Sequence, residues 1–270
     1  MTRRRIVPFG GLRPTPGRVH PIVDYLLGLT GKPRARVAII PTAVGDAAEA
    51  LVSLYARLPA DRTERSHLGL FHRTIDDIES YLLEQDIILV SGGNTANMLA
   101  VWRVHGVDRA LRAALDAGVI LTGGSAGSLC WFEAGTTDSF NLHRLAPLHD
   151  GLGFLPGSHC PHYDGEAHRR PLYHQLIQDG FPAGFAIDED AAIQFVDGQV
   201  AEVVSAREGA AAYRVQLAGG QVVETQLASR PLASSPTVVP ALRAGVRALP
   251  GPRGPSAGRP HASSESAGEG

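Results

Sequence analysis

The chain has 270 residues with 25 Lys and Arg against 27 Asp and Glu, so it lacks the basic excess that nucleic acid or an anionic membrane surface would call for. With 44% hydrophobic residues it can bury a large core. Two cysteines, Cys130 and Cys160, are too few for a disulfide scaffold, and reduced thiols are expected. The N-terminal MTRRRIVPFGG puts charges before a short apolar run, without the long apolar stretch or small-residue cleavage site of a signal peptide. No run is long enough to span a bilayer, and the expectation is a cytoplasmic protein with no nucleic-acid or membrane partner.

In chain order, RRRIVPFGG and ARVAIIPTA are short apolar runs that end in glycine, proline or threonine, as buried strands do. His20 to Leu29 between them reads as helix. GDAAEALVSLYARL then places Ala47, Leu51 and Leu54 on one helical face. HLGLF is a third strand candidate. DIILVSGGNTANMLAVWRVHG reads as a buried strand, a turn and a helix capped by Asn94 or Thr95. In VDRALRAALDAGVILTGG, Asp108 caps a helix, Leu111 and Leu115 stack at i and i+4, Gly118 closes it and a strand follows. This alternation predicts an α/β fold whose largely parallel sheet is flanked by helices.

From Gly184 the texture changes. Alternating strands surround Asp197-Gly198 and Gly219-Gly220, both hairpin signals, and predict an antiparallel C-terminal extension. Residues 1–230 are expected to form the catalytic domain. Residues 231–270, rich in Pro, Gly, Ala and Ser, are expected to be a mostly disordered tail with at most a short helix over Val238–Leu249.

The stretch most concentrated in chemistry is VILTGGSAGSLCWF. Gly123-Gly124-Ser125-Ala126-Gly127 satisfies G-x-S-x-G between a strand and a helix start. A nucleophile elbow needs small flanking residues because its serine sits in a strained turn, which leaves the next N–H, on Ala126, free to meet an oxyanion. A structural glycine turn or an anion site at the helix start is the competing reading. Neither the dinucleotide fingerprint nor the P-loop pattern is matched. A base is at hand in GLGFLPGSHCPHYDGEAHRRPLYHQL, which holds four of the eleven histidines. In an extended segment His159 and His162 point to opposite faces while Cys160 and His162 share one. A metal site of Cys160, His162 and Asp164 matches no fixed ligand spacing. The acid that would orient the base is Glu133 or Asp138 in WFEAGTTDSF, or one of Asp188, Glu189 and Asp190.

VSGGNT, GGSAGS, TTD, the strand ending in PHY and the following GE…R stretch occur together in this order. In that combination the chain resembles the peptidase E family of serine peptidases, whose fold is similar to class I glutamine amidotransferases, over about residues 5–204. The resemblance implies Ser125 as nucleophile, His162 as general base and Asp138 as the acid, with Glu133 in reserve. It further implies the N–H groups of Gly93 and Ala126 as oxyanion hole, and Asn94, Thr95, Glu166 and Arg169 or Arg170 near the substrate. Gly92 and Gly93 end a neighbouring strand, where glycine lets a substrate approach the backbone. The implied activity is hydrolysis of small peptides, dipeptides with N-terminal aspartate among them, needing neither metal nor organic cofactor. A cyanophycin-degrading enzyme, an esterase and a non-catalytic binding protein of the same fold are the alternatives. Amidotransferases of this fold carry cysteine at the elbow, where this chain has serine; a homodimer is the expected assembly.

Overall fold

The computed structural model describes residues 3–234. The elements run β1 (Arg5–Phe9), α1 (Pro21–Gly28), β2 (Ala35–Ile40), a 3-10 turn (Thr42–Val44), α2 (Ala48–Ala56), β3 (Thr63–His67), α3 (Ile78–Leu83) and β4 (Ile87–Val90). They continue with α4 (Thr95–His105), α5 (Val107–Ala117), β5 (Ile120–Gly124), α6 (Ala126–Leu129), β6 (Phe132–Thr137), β7 (Ala146–Leu148) and β8 (Leu155–Cys160). The last elements are α7 (Arg169–Gln178), β9 (Gly184–Ile187), β10 (Ala191–Val196), β11 (Gln199–Ser205), β12 (Ala212–Ala218), β13 (Gln221–Gln226) and β14 (Arg230–Pro231).

The main sheet has eight strands in the order β14-β11-β10-β1-β5-β4-β2-β3. Its β1, β5, β4, β2 and β3 are all parallel, with β10 joining β1 antiparallel. The mixed α/β architecture with an antiparallel extension agrees with the sequence reading. The apolar strand runs are continuous because both faces are covered. Ile6, Ile40, Ile88 and Leu121 face a core shared with α3, α4 and α5. Val7, Val37, Ile39 and Ile87 face α1 and the weakly buried α2.

Six further strands form a separate sheet, β13-β12-β9-β8-β6-β7, which the sequence reading did not separate from the first. Both predicted hairpins form. Asp197 and Gly198 turn β10 into β11, and Gly219 and Gly220 turn β12 into β13, all four at positive φ as a two-residue turn of the primed type requires. The two hairpins enter different sheets, so the C-terminal extension is divided between them.

Local corrections have local causes. The third strand is Thr63–His67 rather than HLGLF; TERSH lies at the sheet edge, where polar side chains reach water. Helix α5 is capped by Gly106 at φ 72, and Asp108 lies in its first turn. Asn94, not Thr95, caps α4, with its side chain accepting from Asn97 N at 2.8 Å. The expected domain edge at residue 230 falls within β14, which pairs with β11. The expected tail helix over 238–249 lies outside the described residues. Among the described residues no helix is long and apolar enough to cross a membrane.

Candidate active site

Ser125 stands between β5 and α6 at φ 56 and ψ −121, a conformation that L residues rarely adopt and that costs on the order of 1–3 kcal/mol. The surroundings enforce it. A Cβ on Gly123 would come within 2.5 Å of Gly127 O, and one on Gly127 within 2.3 Å of Val90 O. Only glycine on both sides of the turn allows the backbones of β4, β5 and α6 to meet. The Ser125 carbonyl accepts from Ser128 N at 3.0 Å and Leu129 N at 2.9 Å, which fixes the turn from its exit side.

A buried layer props this turn. Ser128 Oγ lies 2.8 Å from the Ser125 carbonyl oxygen and 2.9 Å from His159 Nε2. His159 Nδ1 donates to Phe185 O at 3.0 Å, and the ring stacks on Phe132 with centroids 4.8 Å apart. Full burial pulls the His159 pKa down to about 3, so the ring is neutral at physiological pH. His159 is therefore a structural histidine, the commoner role for such a residue.

His162 follows β8 in a turn at φ 54. Strand β8 ends at Cys160, so strand alternation does not carry through to His162. Its carbonyl accepts from Gly165 N at 3.1 Å and Glu166 N at 3.3 Å, while Tyr163 N donates to Ile187 O at 3.1 Å, stitching the turn to the end of β9. Strands β8 and β9 run parallel, and this brings Glu189 to the imidazole: His162 Nδ1 hydrogen-bonds to Glu189 Oε1. Gly11 and Gly165 make room for that carboxylate, since a Cβ on Gly11 would lie 2.3 Å from Glu189 Oε2. Asp164 Oδ1 accepts from Glu189 N at 2.8 Å and its other oxygen pairs with Arg207, whose Nη2 also donates to Glu189 O at 3.2 Å.

The structure thus separates the five carboxylates that the sequence offered as orienting acid. Glu189 holds His162. Asp188 accepts from Ala211 N at 2.9 Å, and Asp190 pairs with His20 at 3.1 Å. Glu133 accepts from Gly157 N at 2.8 Å. Asp138 is not brought to His162. Its turn is tied instead to the start of α4, where Ser139 Oγ accepts from Thr95 N at 2.8 Å and Asn94 Nδ2 donates to Ser139 O at 2.8 Å. Asp138 therefore gives way to Glu189 as the imidazole's partner. The signal was present in the sequence, in AIDEDAA, but three adjacent carboxylates carry no mark of which one turns inward.

Ser125, His162 and Glu189 line one cavity of about 260 Å³, together with Gly92 and Ser91. Gly93 sits beside it at φ 130, pressed so close to Ala43 that a Cβ would lie 2.2 Å from the Ala43 carbonyl oxygen. Its amide donates to no acceptor among the described residues. The Ala126 N–H opens α6 and has no intrahelical partner. The cavity thus holds a serine hydroxyl and an imidazole whose tautomer a carboxylate fixes.

The residues expected to contact substrate are otherwise engaged. Asn94 caps α4, and Thr95 is buried beneath Ser139. Arg169, 3% exposed, forms a bidentate pair with Glu166 at 2.8 and 3.2 Å. Arg170 lies over the rings of Tyr163 and Tyr213, with Glu224 at 3.6 Å. None of these lines the cavity of Ser125. Cys130 and Cys160 are free, buried thiols. Burial pushes Cys160 up to about 12, and Thr136 Oγ1 donates to its sulfur at 3.1 Å. With His162 and Asp164 also committed to other partners, the three do not converge as a metal site.

Comparisons with known proteins place the fold and the family. Residues 10–203 match the model of Peptidase family S51. Over 207 residues the chain is 43% identical to the Bacillus subtilis (strain 168) protein named "Uncharacterized peptidase YgaJ", covering 76% of this chain and 88% of that one. A peptidase structure from an acI-B1 Actinobacterium shares the fold with a TM-score of 0.59 at 16% identity, covering 85% of this chain and 96% of that one. A Listeria monocytogenes EGD-e structure described as a "Putative Peptidase E Protein" gives a TM-score of 0.52 at 17% identity, covering 84% and 100%. The family match spans the elbow, the His162 turn and Glu189, and the chain belongs to Peptidase family S51.

Proposed function

We propose that the protein is a serine peptidase acting on small peptides, with Ser125 as nucleophile, His162 as general base and Glu189 as the acid that orients it. The observation that carries this reading is the strained Ser125 on the wall of the same cavity as the His162–Glu189 pair. Ser125 Oγ attacks the scissile carbonyl while His162 Nε2 takes its proton. The Gly93 and Ala126 N–H groups bind the oxyanion that forms. His162 then gives the proton to the leaving amine, the C–N bond breaks, and an acyl-serine remains. Water, deprotonated by His162, adds to the ester, and the tetrahedral adduct expels Ser125 to release the acid. Every group in this sequence is supplied by the chain or by water.

Hydrolysis of dipeptides with N-terminal aspartate draws no support from Glu166 and Arg169, which neutralise one another. A cytoplasmic setting and a homodimer belong to the same reading as expectations of the sequence.

Ser125→Ala tests it. Turnover of a dipeptide library should fall by about a thousandfold or more while the fold is retained. Covalent labelling by a fluorophosphonate should map to Ser125 and vanish in the variant. Near-wild-type hydrolysis by the purified Ser125→Ala protein would refute the proposal.

A further inference from the structure

We infer that the substrate carries a large apolar side chain on a residue flanking the scissile bond, seated in the cavity that runs from Ser125 beneath α1 and α2. The inference rests on the reading of Ser125 as nucleophile and specifies what that nucleophile meets. Leu26 and Leu27 of α1, Leu54 and the following Leu58 from the α2 side, and Ile87 and Leu89 of β4 form the wall. The wall reaches from Ile87 to Ser91, about 13 Å of extended strand.

Polarity is concentrated at one end. Ser125, His162, Glu189 and Ser91 line the cavity just past the carboxyl ends of β5, β8, β9 and β4, and Ser91 Oγ is buried without a hydrogen-bond partner among the described residues. Thr122 also lines the cavity, but its hydroxyl is spent on Val7 O at 2.6 Å. Arg57 is the only arginine or lysine on the described wall, and it is exposed. A substrate carboxylate moved into the cavity would lose its hydration with little to replace it, whereas an aliphatic or aromatic group would remove apolar wall from water.

The outer wall can adjust to its guest. Helix α2 has no buried residue, so small movements of Leu54 cost little packing. Side chains from Leu to Phe can therefore be accommodated, while one methylene of fit still discriminates measurably.

The test is a dipeptide panel varied at both positions among Ala, Leu, Phe and Asp, assayed with the wild type, Leu54→Trp and Leu54→Ala. Wild-type kcat/KM should favour Leu or Phe over Asp at one position by at least about tenfold. Leu54→Trp, which fills the cavity, should lower kcat/KM for the Leu and Phe substrates by about tenfold or more beyond any loss on Ala-Ala. Leu54→Ala should shift the preference toward Phe. A preference for Asp, lost in Arg57→Leu, would overturn the inference, as would equal effects of Leu54→Trp on every substrate. Calorimetric binding of Leu-Leu and Asp-Leu to Ser125→Ala protein separates this inference from the catalytic reading. Tighter binding of Leu-Leu upholds the cavity even if Ser125 proves dispensable, and equal, weaker or no binding of it refutes the cavity.

Discussion

The two faces of the main sheet are covered in opposite ways. On one, Trp102 and Trp131 lie 6.5 Å apart, fully buried among α4, α5 and the strands. On the other, α1 packs well but α2 buries none of its residues, and the cavity opens between them and the strands. The dense face does positional work for the site. Trp102 Nε1 donates to Thr42 Oγ1 at 3.1 Å, and the adjoining Ala43 carbonyl accepts from Asn94 N at 2.8 Å, holding the Gly92–Gly93 turn against its neighbour. The looser face supplies room instead. A protein that must hold backbone donors fixed and still admit a substrate gains from dividing those demands between two faces.

Substitutions can break or sharpen that contrast. Trp102→Ala should cost about 3–5 kcal/mol of stability, read by chemical denaturation, because a fully packed site cannot collapse around so large a loss. Leu54→Ala on the opposite face should cost about 1 kcal/mol, since partly exposed side chains give up less. Equal losses would show that the two faces are packed alike.

A smaller effect is expected beneath the elbow. Ser128→Ala leaves the buried His159 Nε2 without its partner and should lower stability by about 1–3 kcal/mol. Turnover should fall with it, because Ser125 loses a prop; unchanged stability would remove His159 and Ser128 from the account.

The last effect concerns pH. Burial raises the Asp188 pKa from 3.8 to about 6, with Ala211 N–H opposing and the Asp164 charge adding to the rise. A raised carboxylate favours the fold below its unfolded pKa, and that contribution is lost as pH climbs through about 6. His159 acts in the other direction. Its pKa is depressed from 6.5 to about 3, so stability is full above 6.5 and falls as pH drops toward 3. Asp188→Asn should therefore stabilise the protein by about 1–2 kcal/mol at pH 7.5 and steepen its loss of stability between pH 6.5 and 4, because the His159 slope is then unopposed. Urea titrations across that range check it; parallel curves for wild type and variant would contradict it.

The elbow was legible in sequence because its cause is local. Three glycines and two serines between apolar runs leave few backbone solutions, and each glycine proves to face backbone or a ring too close for a Cβ. The primed hairpins at Asp197-Gly198 and Gly219-Gly220 were legible for the same reason. The partner of His162 was not, because it depends on β8 and β9 pairing in a second sheet. The strand before PHY was expected, but nothing in LPGSHC or GFAI marks these two strands as neighbours. Asp138 follows the elbow in the expected order, but order along the chain does not encode that Ser139 binds its turn to α4. Glu166 and Arg169 look like a substrate clamp in sequence, yet three residues apart at a helix start they reach one another first.

The central claim is that Glu189, through His162, serves Ser125. The most direct measurement compares kcat for Glu189→Gln and Asp138→Asn on one good peptide substrate, with folding checked by circular dichroism. The account predicts a fall of about a hundredfold or more for Glu189→Gln, which cannot hold the imidazole tautomer or stabilise its cation, and a change within about threefold for Asp138→Asn. The reverse pattern would return the acid to Asp138 and contradict the account.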